Sequence, residues 1–255
     1  MSISILDNLK SQPDAARALA NYRELAAGYD GSCTRIEALR RRAIAELTLR
    51  PGECVFDIGC GTGPTLPLLA QAVGPTGRVI GVELSPEMAA LAQQRIAASG
   101  HAGAVRVIQS ALETLQVEQR ADAVLLCYTH DVLQSGAALQ RLIQCAKPGA
   151  RFAVLGMKTL PWLWGWPVNL FNLYRARRYL TTYANLDCPW RMLQQHGATL
   201  RETHTALCGS AYIASGCLPN VSVHEPETQT RASSQSPAHP FNTPLQRQST
   251  CHFLD

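Results

Sequence analysis

Val55-Phe-Asp-Ile-Gly-Cys-Gly-Thr-Gly63 is a short apolar run, an aspartate, and then glycines at alternate positions. Such a stretch reads as a buried strand turning into a helix, because glycine lets backbone N–H groups approach a ligand that a Cβ would keep away. Twenty residues beyond Gly63, a second apolar run, Arg78-Val-Ile-Gly-Val-Glu83, ends in a carboxylate. At the tip of a neighbouring strand, that carboxylate can accept hydrogen bonds from both hydroxyls of a ribose. Together the two features describe a pocket for a nucleoside-bearing cofactor.

A dinucleotide pocket would carry Gly-x-Gly-x-x-Gly. Here the third glycine falls one position early, and Pro64 stands where that fingerprint wants glycine. Asp57 would repel a pyrophosphate and suits a cationic ligand better. These residues resemble motif I of class I S-adenosylmethionine-dependent methyltransferases, and the resemblance covers roughly residues 20–216. It implies S-adenosyl-L-methionine as cofactor, an α/β Rossmann-like fold, and bacterial small-molecule or quinone-pathway enzymes as the nearest type. By the same resemblance Asp57 faces the ammonium end of the cofactor, and Gly59, Cys60, Gly61 and Gly63 form the turn. Glu83 takes the ribose, while Leu84 and Met88 flank the adenine. Ser110, followed by Ala111, stands where the family often has an aspartate. Cys127 and Tyr128 end the fourth strand at the same crevice. Tyr29 resembles the tyrosine of a Tyr-Asp pair that covers the methionine end, although plain packing would serve it equally.

The bulk numbers suit one α/β domain large enough to fold alone. Apolar residues make up 46% and charged residues 16% of 255, and a net charge of +4 is too small to argue for nucleic acid. None of the nine cysteines forms Cys-x-x-Cys or a His/Cys zinc spacing, so no metal site is expected. Scattered cysteines fit a reducing, cytoplasmic setting. No apolar leader follows Met1 and no apolar run approaches membrane-spanning length, so neither export nor a span is expected.

Along the chain, residues 13–30 and a stretch from Thr34, where Thr34 to Glu37 has capping-box form, read as helices. Strands are expected near 53–58, 78–83, 104–109, 121–127 and 150–157, with helices near 64–73 and 86–99. Ser85-Pro86 starts one helix, and Ser135 caps another that runs to Lys147. Alternating strands and helices imply parallel pairing. Two final strands, near 198–204 and 209–215, should form an antiparallel hairpin, completing a seven-stranded mostly parallel sheet with helices on both faces. The organisation is a helical cap over residues 1–50, a methyltransferase-like domain over 51–217 with an aromatic and basic insertion at 159–190, and a tail over 218–255. Dense in Pro, Ser, Thr and Gln, that tail cannot offset chain entropy and is expected to be disordered.

Tyr128 and His130 are the candidate catalytic residues, since Tyr128-Thr129-His130-Asp131 follows the fourth strand beside the expected methyl position. His130 suits a base with Asp131 orienting its ring; the plainer reading has His130 bonded to a backbone carbonyl and Asp131 capping a turn. The sequence lacks Asn/Asp-Pro-Pro-Phe/Tyr at this strand end, the paired-glutamate loop of protein-arginine enzymes, and the clustered acids of metal-dependent phenol enzymes.

All four tryptophans (Trp162, Trp164, Trp166 and Trp190) fall within 29 residues, with Phe171, Tyr174, Tyr179 and Tyr183 and three arginines, Arg175, Arg177 and Arg178. This stretch fits an apolar lid over a small acceptor, a helix packed by its aromatics, or peripheral contact with anionic lipid. The reading is nitrogen or oxygen methylation of a small apolar or aromatic metabolite, without a metal. Phospholipid N-methylation and quinone-precursor C-methylation at a membrane surface are the runners-up. A non-catalytic cofactor-binding module is the alternative of another kind. Nothing in the sequence bears on oligomeric state.

Overall fold

β1 (Cys54–Ile58) is buried along its whole length. It lies between β2 (Arg78–Glu83) and β4 (Ala121–Cys127), parallel to both. A strand flanked this way is screened on both faces by helices, which is why it reads as a continuous apolar run rather than an alternating one. The computed structural model describes residues 12–25 and 36–220, within one unit spanning Met1–Val221.

The sheet has seven strands in the order β3-β2-β1-β4-β5-β7-β6. β3 (Val105–Gln109) and β5 (Ala146–Met157) extend the parallel part. β6 (Thr199–Ala206) and β7 (Ala211–Cys217) close it as the antiparallel hairpin the sequence leads one to expect. The chain leaves β1 toward β2 on one side and later returns to β4 on the other. That reversal opens a crevice at the carboxyl ends of β1 and β4, where ligands of such sheets bind.

Strand alternation divides the core into two layers. Phe56, Ile58, Leu126 and Phe152 face α6 (Gly136–Gln144) through Leu139 and Leu142. Val55, Leu125 and Leu155 face α2 (Glu37–Glu46), α3 (Leu66–Val73) and α4 (Pro86–Ala98) through Ala43, Leu69 and Ala92. Each fully buried large side chain is worth about 1.5–3 kcal/mol, so these two layers carry the fold.

Helix starts follow their caps. Ser85 accepts from the Met88 amide at 3.3 Å with Pro86 in the first turn, and Ser135 accepts from Ala138 at 3.2 Å. α3 begins at Leu66 rather than 64, because the Thr65 hydroxyl bonds Asp57 and does not cap. α6 stops at Gln144, short of the expected Lys147: Ala146 already pairs with Ala121, and the Lys147 ammonium reaches Asp122 at 2.7 Å. α1 (Ala15–Leu25) occupies the described part of the first expected helix. Tyr29 and Thr34 lie outside the described residues.

Candidate active site

The turn after β1 is shaped by positive φ at Gly59 (65°), Gly61 (58°) and Gly63 (73°). A Cβ on Gly59 would stand 2.5 Å from Thr129 Cγ2, so the β1 turn and the end of β4 touch through a bare backbone. Gly63 has a packing role instead: its Cβ would meet Leu66 and Ala92 at 2.9 and 3.1 Å.

Glu83 ties this turn to the second strand. One carboxylate oxygen accepts from the Gly61 amide at 2.9 Å and the other from Ser85 at 2.8 Å. Burial raises its pKa, and those backbone donors oppose the rise. Glu83 lines a cavity of about 200 Å³ together with Ile58, Gly59, Gly61, Leu84 and Met88. Ser110, Ala111, Cys127, Tyr128 and His130 line it too. The Ser110 hydroxyl, however, turns to the Ala111 carbonyl at 2.8 Å.

Asp57 and Cys60 do not line this cavity. Alternation along β1 places Asp57 opposite Ile58, in the layer beneath the turn. There it accepts the Thr65 hydroxyl, is pushed by desolvation up to about 7, and has the Arg40 cation of α2 opposing that rise. Asp57 therefore braces the turn from below. Cys60 is buried against Gly81.

A second cavity, about 730 Å³, adjoins the first. The two share six lining residues: Tyr22, Tyr128, Thr129, His130, Tyr179 and Leu180. The larger one is apolar, with Leu133, Met157, Val168, Phe171 and Tyr212 among its walls and Asn172 and Arg175 as polar groups. α7 (Trp162–Ala176) supplies one side. Tyr128 holds φ at 58°, a left-handed conformation uncommon for a non-glycine residue, at the wall the two cavities share.

His130 begins α5 (His130–Leu133) on the shared wall. Burial lowers its pKa to about 4, opposed only by the Ala184 backbone, so the imidazole is neutral. Neither ring nitrogen has a hydrogen-bond partner within bonding geometry, nor does the neighbouring Thr129 hydroxyl. Buried polar atoms without partners cost about 1–3 kcal/mol each, and here they cluster where two cavities meet. Asp131 does not orient this ring. Its carboxylate accepts from the Thr181 hydroxyl at 2.6 Å and amide at 3.0 Å, and from the Thr182 amide at 3.4 Å. The same Thr181 hydroxyl oxygen accepts from the Asp14 amide at 2.9 Å, pinning the start of α1 over the smaller cavity. Tyr179 belongs to the aromatic insertion and does line both cavities, whereas Tyr22 and the Thr181-Thr182 pair carry no local signal in the sequence.

The residues present suit an adenosyl sulfonium. Glu83 offers acceptors for ribose hydroxyls, Leu84 and Met88 offer apolar faces for a purine, and the bare backbone at Gly59 leaves room beside them. Among the described residues no group of three metal-ligating side chains converges.

The comparisons with known proteins agree. Residues 55–149 match the family model described as a methyltransferase domain. A demethylmenaquinone methyltransferase of Symbiobacterium thermophilum is 29% identical over 141 residues, covering 52% of this chain and 56% of its own. The ubiquinone/menaquinone biosynthesis C-methyltransferase UbiE of Ectopseudomonas mendocina is 32% identical over 123 residues, covering 47% and 48%. The chain thus spans about half the length of the curated relatives it matches. Among solved structures, a SAM-dependent methyltransferase from Aquifex aeolicus superposes with a TM-score of 0.56 at 20% identity, over 80% of this chain and 98% of that one. Residues 55–149 are thus similar to a methyltransferase domain, and the fold around them is shared with solved S-adenosylmethionine-dependent methyltransferases.

Proposed function

We propose that this protein transfers the methyl group of S-adenosylmethionine to a small apolar or aromatic acceptor held in the larger cavity. The observation that carries the reading is the wall shared by the two cavities, built by Tyr128, Thr129 and His130 at the end of β4. When bound, the cofactor supplies a methyl group already activated as a sulfonium. What remains for the protein is to align acceptor and donor and keep water away, and such positioning is worth about 7–11 kcal/mol of barrier.

The chain's own residues divide that work. Glu83, Leu84 and Met88 hold the nucleoside side. Phe171, Val168 and Met157 enclose the acceptor, and Arg175 offers a cation to an anionic substituent on it. Protonating a group of pKa about 4 at pH 7 costs about 4 kcal/mol. His130 is accordingly an acceptor that orients a hydroxyl or amine proton toward Nδ1 or Nε2, with little power to carry that proton away. Tyr128 and Thr129 shape the passage between the cavities.

Carbon methylation of a quinone-type ring is the second reading, favoured by the names of the relatives above. It needs the same apolar cavity and the same acceptor toward a ring hydroxyl. The test has two stages. Titration calorimetry with S-adenosylmethionine and S-adenosylhomocysteine, with NAD for comparison, should show binding of the two adenosyl ligands alone. Mass spectrometry on phenol, quinol and amine panels then identifies the methylated atom. Binding of NAD with no response to the adenosyl ligands would refute the cofactor. Cofactor binding with no product from any apolar acceptor, while a polar panel reacts, would refute the acceptor class.

A further inference from the structure

A surface helix normally turns its large apolar side chains inward. α7 does the reverse. Its inner seam is made of small or polar residues: Gly165, Asn169 and Ala176 are the buried ones. A Cβ on Gly165 would stand 2.3 Å from the Leu160 Cβ, and the Asn169 side chain bonds both the amide and the carbonyl of Leu160 at 2.8 Å. The helix is thereby held close against the segment that leads into it at Leu160, and its tryptophans point out. Trp162, Trp164 and Trp166 are 60%, 61% and 56% exposed, and Leu163 is 94% exposed; Leu170, Phe171 and Tyr174 follow on the same helix.

Among the described residues, the one exposed large hydrophobic side chain outside α7 is Leu207, in the β6–β7 turn. Leu207 and Phe171 also line the larger cavity, so the apolar surface borders it. Arginines stand at the carboxyl end of the patch. Arg177 stacks on the Tyr174 ring at 3.9 Å and Arg175 over Phe171 at 5.7 Å, with Arg178 exposed beside them. None of the ion pairs found among the described residues uses any of the three.

We propose that the outer face of α7, with Leu207, docks on an anionic lipid bilayer, with the larger cavity beside it. Indoles and a tyrosine mixed with leucines, next to unpaired arginines, match the chemistry of the headgroup boundary and of its negative charge. Fifteen residues of helix reach about 22 Å, short of the roughly 30 Å hydrocarbon layer, so α7 lies along the surface. No helix among the described residues is long and apolar enough to cross a membrane. The arginines beside the aromatic face give it a positive charge that an anionic surface complements, and a second copy of the chain is the competing occupant that the test below separates. That the surface delivers an amphiphilic acceptor rests on the methyl-transfer reading; the docking itself does not.

The test is flotation of the full chain, without cofactor, with vesicles of phosphatidylcholine containing phosphatidylglycerol and with phosphatidylcholine alone. The protein should float with the anionic vesicles and its tryptophan emission should shift to the blue. The W162S/W164S/W166S variant should lose binding by about tenfold or more, and R177E/R178E should lose the anionic preference. Both variants should keep the parental melting temperature, because neither set of side chains packs in the core. Absence of flotation with both vesicles overturns the proposal, whether the chain is then monomeric or forms a dimer that the tryptophan changes dissociate. Flotation that survives both variants overturns it as well. Cofactor titration is a separate readout, so the docking and the methyl-transfer reading can each fail alone.

Discussion

Asp131 and Thr181, fifty positions apart, are joined by bonds from the threonine hydroxyl and amide to one carboxylate oxygen, at 2.6 and 3.0 Å. The same hydroxyl is met by the Asp14 amide, so three distant segments converge on one point above the smaller cavity. Asp131→Ala leaves the Thr181 and Thr182 amides without their acceptor. It should lower stability by about 1–3 kcal/mol and weaken cofactor binding, while Asp131→Asn should retain part of both. Denaturant titration and calorimetry check this; an unchanged cofactor affinity in Asp131→Ala would detach the clasp from the site.

Glu83→Ala removes charge-assisted acceptors that hold the turn and face the cavity. Cofactor affinity should fall by about 1.5–3 kcal/mol, read by calorimetry. Because burial raises the Glu83 pKa, wild-type affinity should begin to fall at a higher pH than an ordinary carboxylate would produce.

Gly59→Ala places a methyl 2.5 Å from Thr129 Cγ2 at a φ of 65°, so contact and backbone strain both act. The expected loss is about 1–3 kcal/mol for the conformation, with more for the clash. Thr129→Ser removes the offending methyl and should recover the clash component only. A double-mutant cycle with no coupling energy would disprove the contact.

His130 and Asp57 pull stability in opposite directions with pH. The unfolded chain protonates His130 below about 6.5, whereas the folded chain refuses that proton down to about 4, so this group's stabilisation is lost as pH falls through that window. Asp57 keeps its proton up to about 7 in the fold but releases it near 3.8 when unfolded, so its contribution is lost as pH rises. Between about pH 4 and 6.5 the two nearly offset. Relative to wild type, His130→Ala should lose stability with rising pH, and Asp57→Asn should gain it, each by up to about 1.4 kcal/mol per pH unit. Melts across that range decide; parallel curves for all three proteins would refute both shifts.

Catalysis should follow the same imidazole. If His130 orients the acceptor's proton, kcat should decline only as pH falls toward about 4, and His130→Gln should keep more activity than His130→Ala. A transition centred near 6.5 in wild type would mean the ring is solvated.

What could be read from the sequence is what is fixed by local chemistry. Gly59 and Gly61 at alternate positions, Glu83 at a strand tip, and Ser85-Pro86 before a helix each act within a few residues, and each stands where the pattern puts it. Asp57 was harder: a resemblance turns it to the ligand, yet period-two alternation puts it on the opposite side from Ile58, braced by Thr65. Trp190 separates from the other tryptophans for a similar reason. It packs at a tilt of 44° against Tyr212, with ring centroids 4.7 Å apart, in the core, a pairing made by strand β7 and invisible to spacing along the chain. Tyr22 and Thr181 reach the site only through tertiary return of the chain.

The seam of Gly165, Asn169 and Ala176 gives α7 an unusual freedom. Its inward contacts come from the bare backbone at Gly165 and the side chains of Asn169, Leu173 and Ala176, so the tryptophans and exposed leucines carry no duty to the core. Mutational drift can rewrite that exterior wholesale without disturbing the sheet or the adenosine pocket. A change of docking partner therefore needs only this one helix, with the sheet and its crevice left as they are.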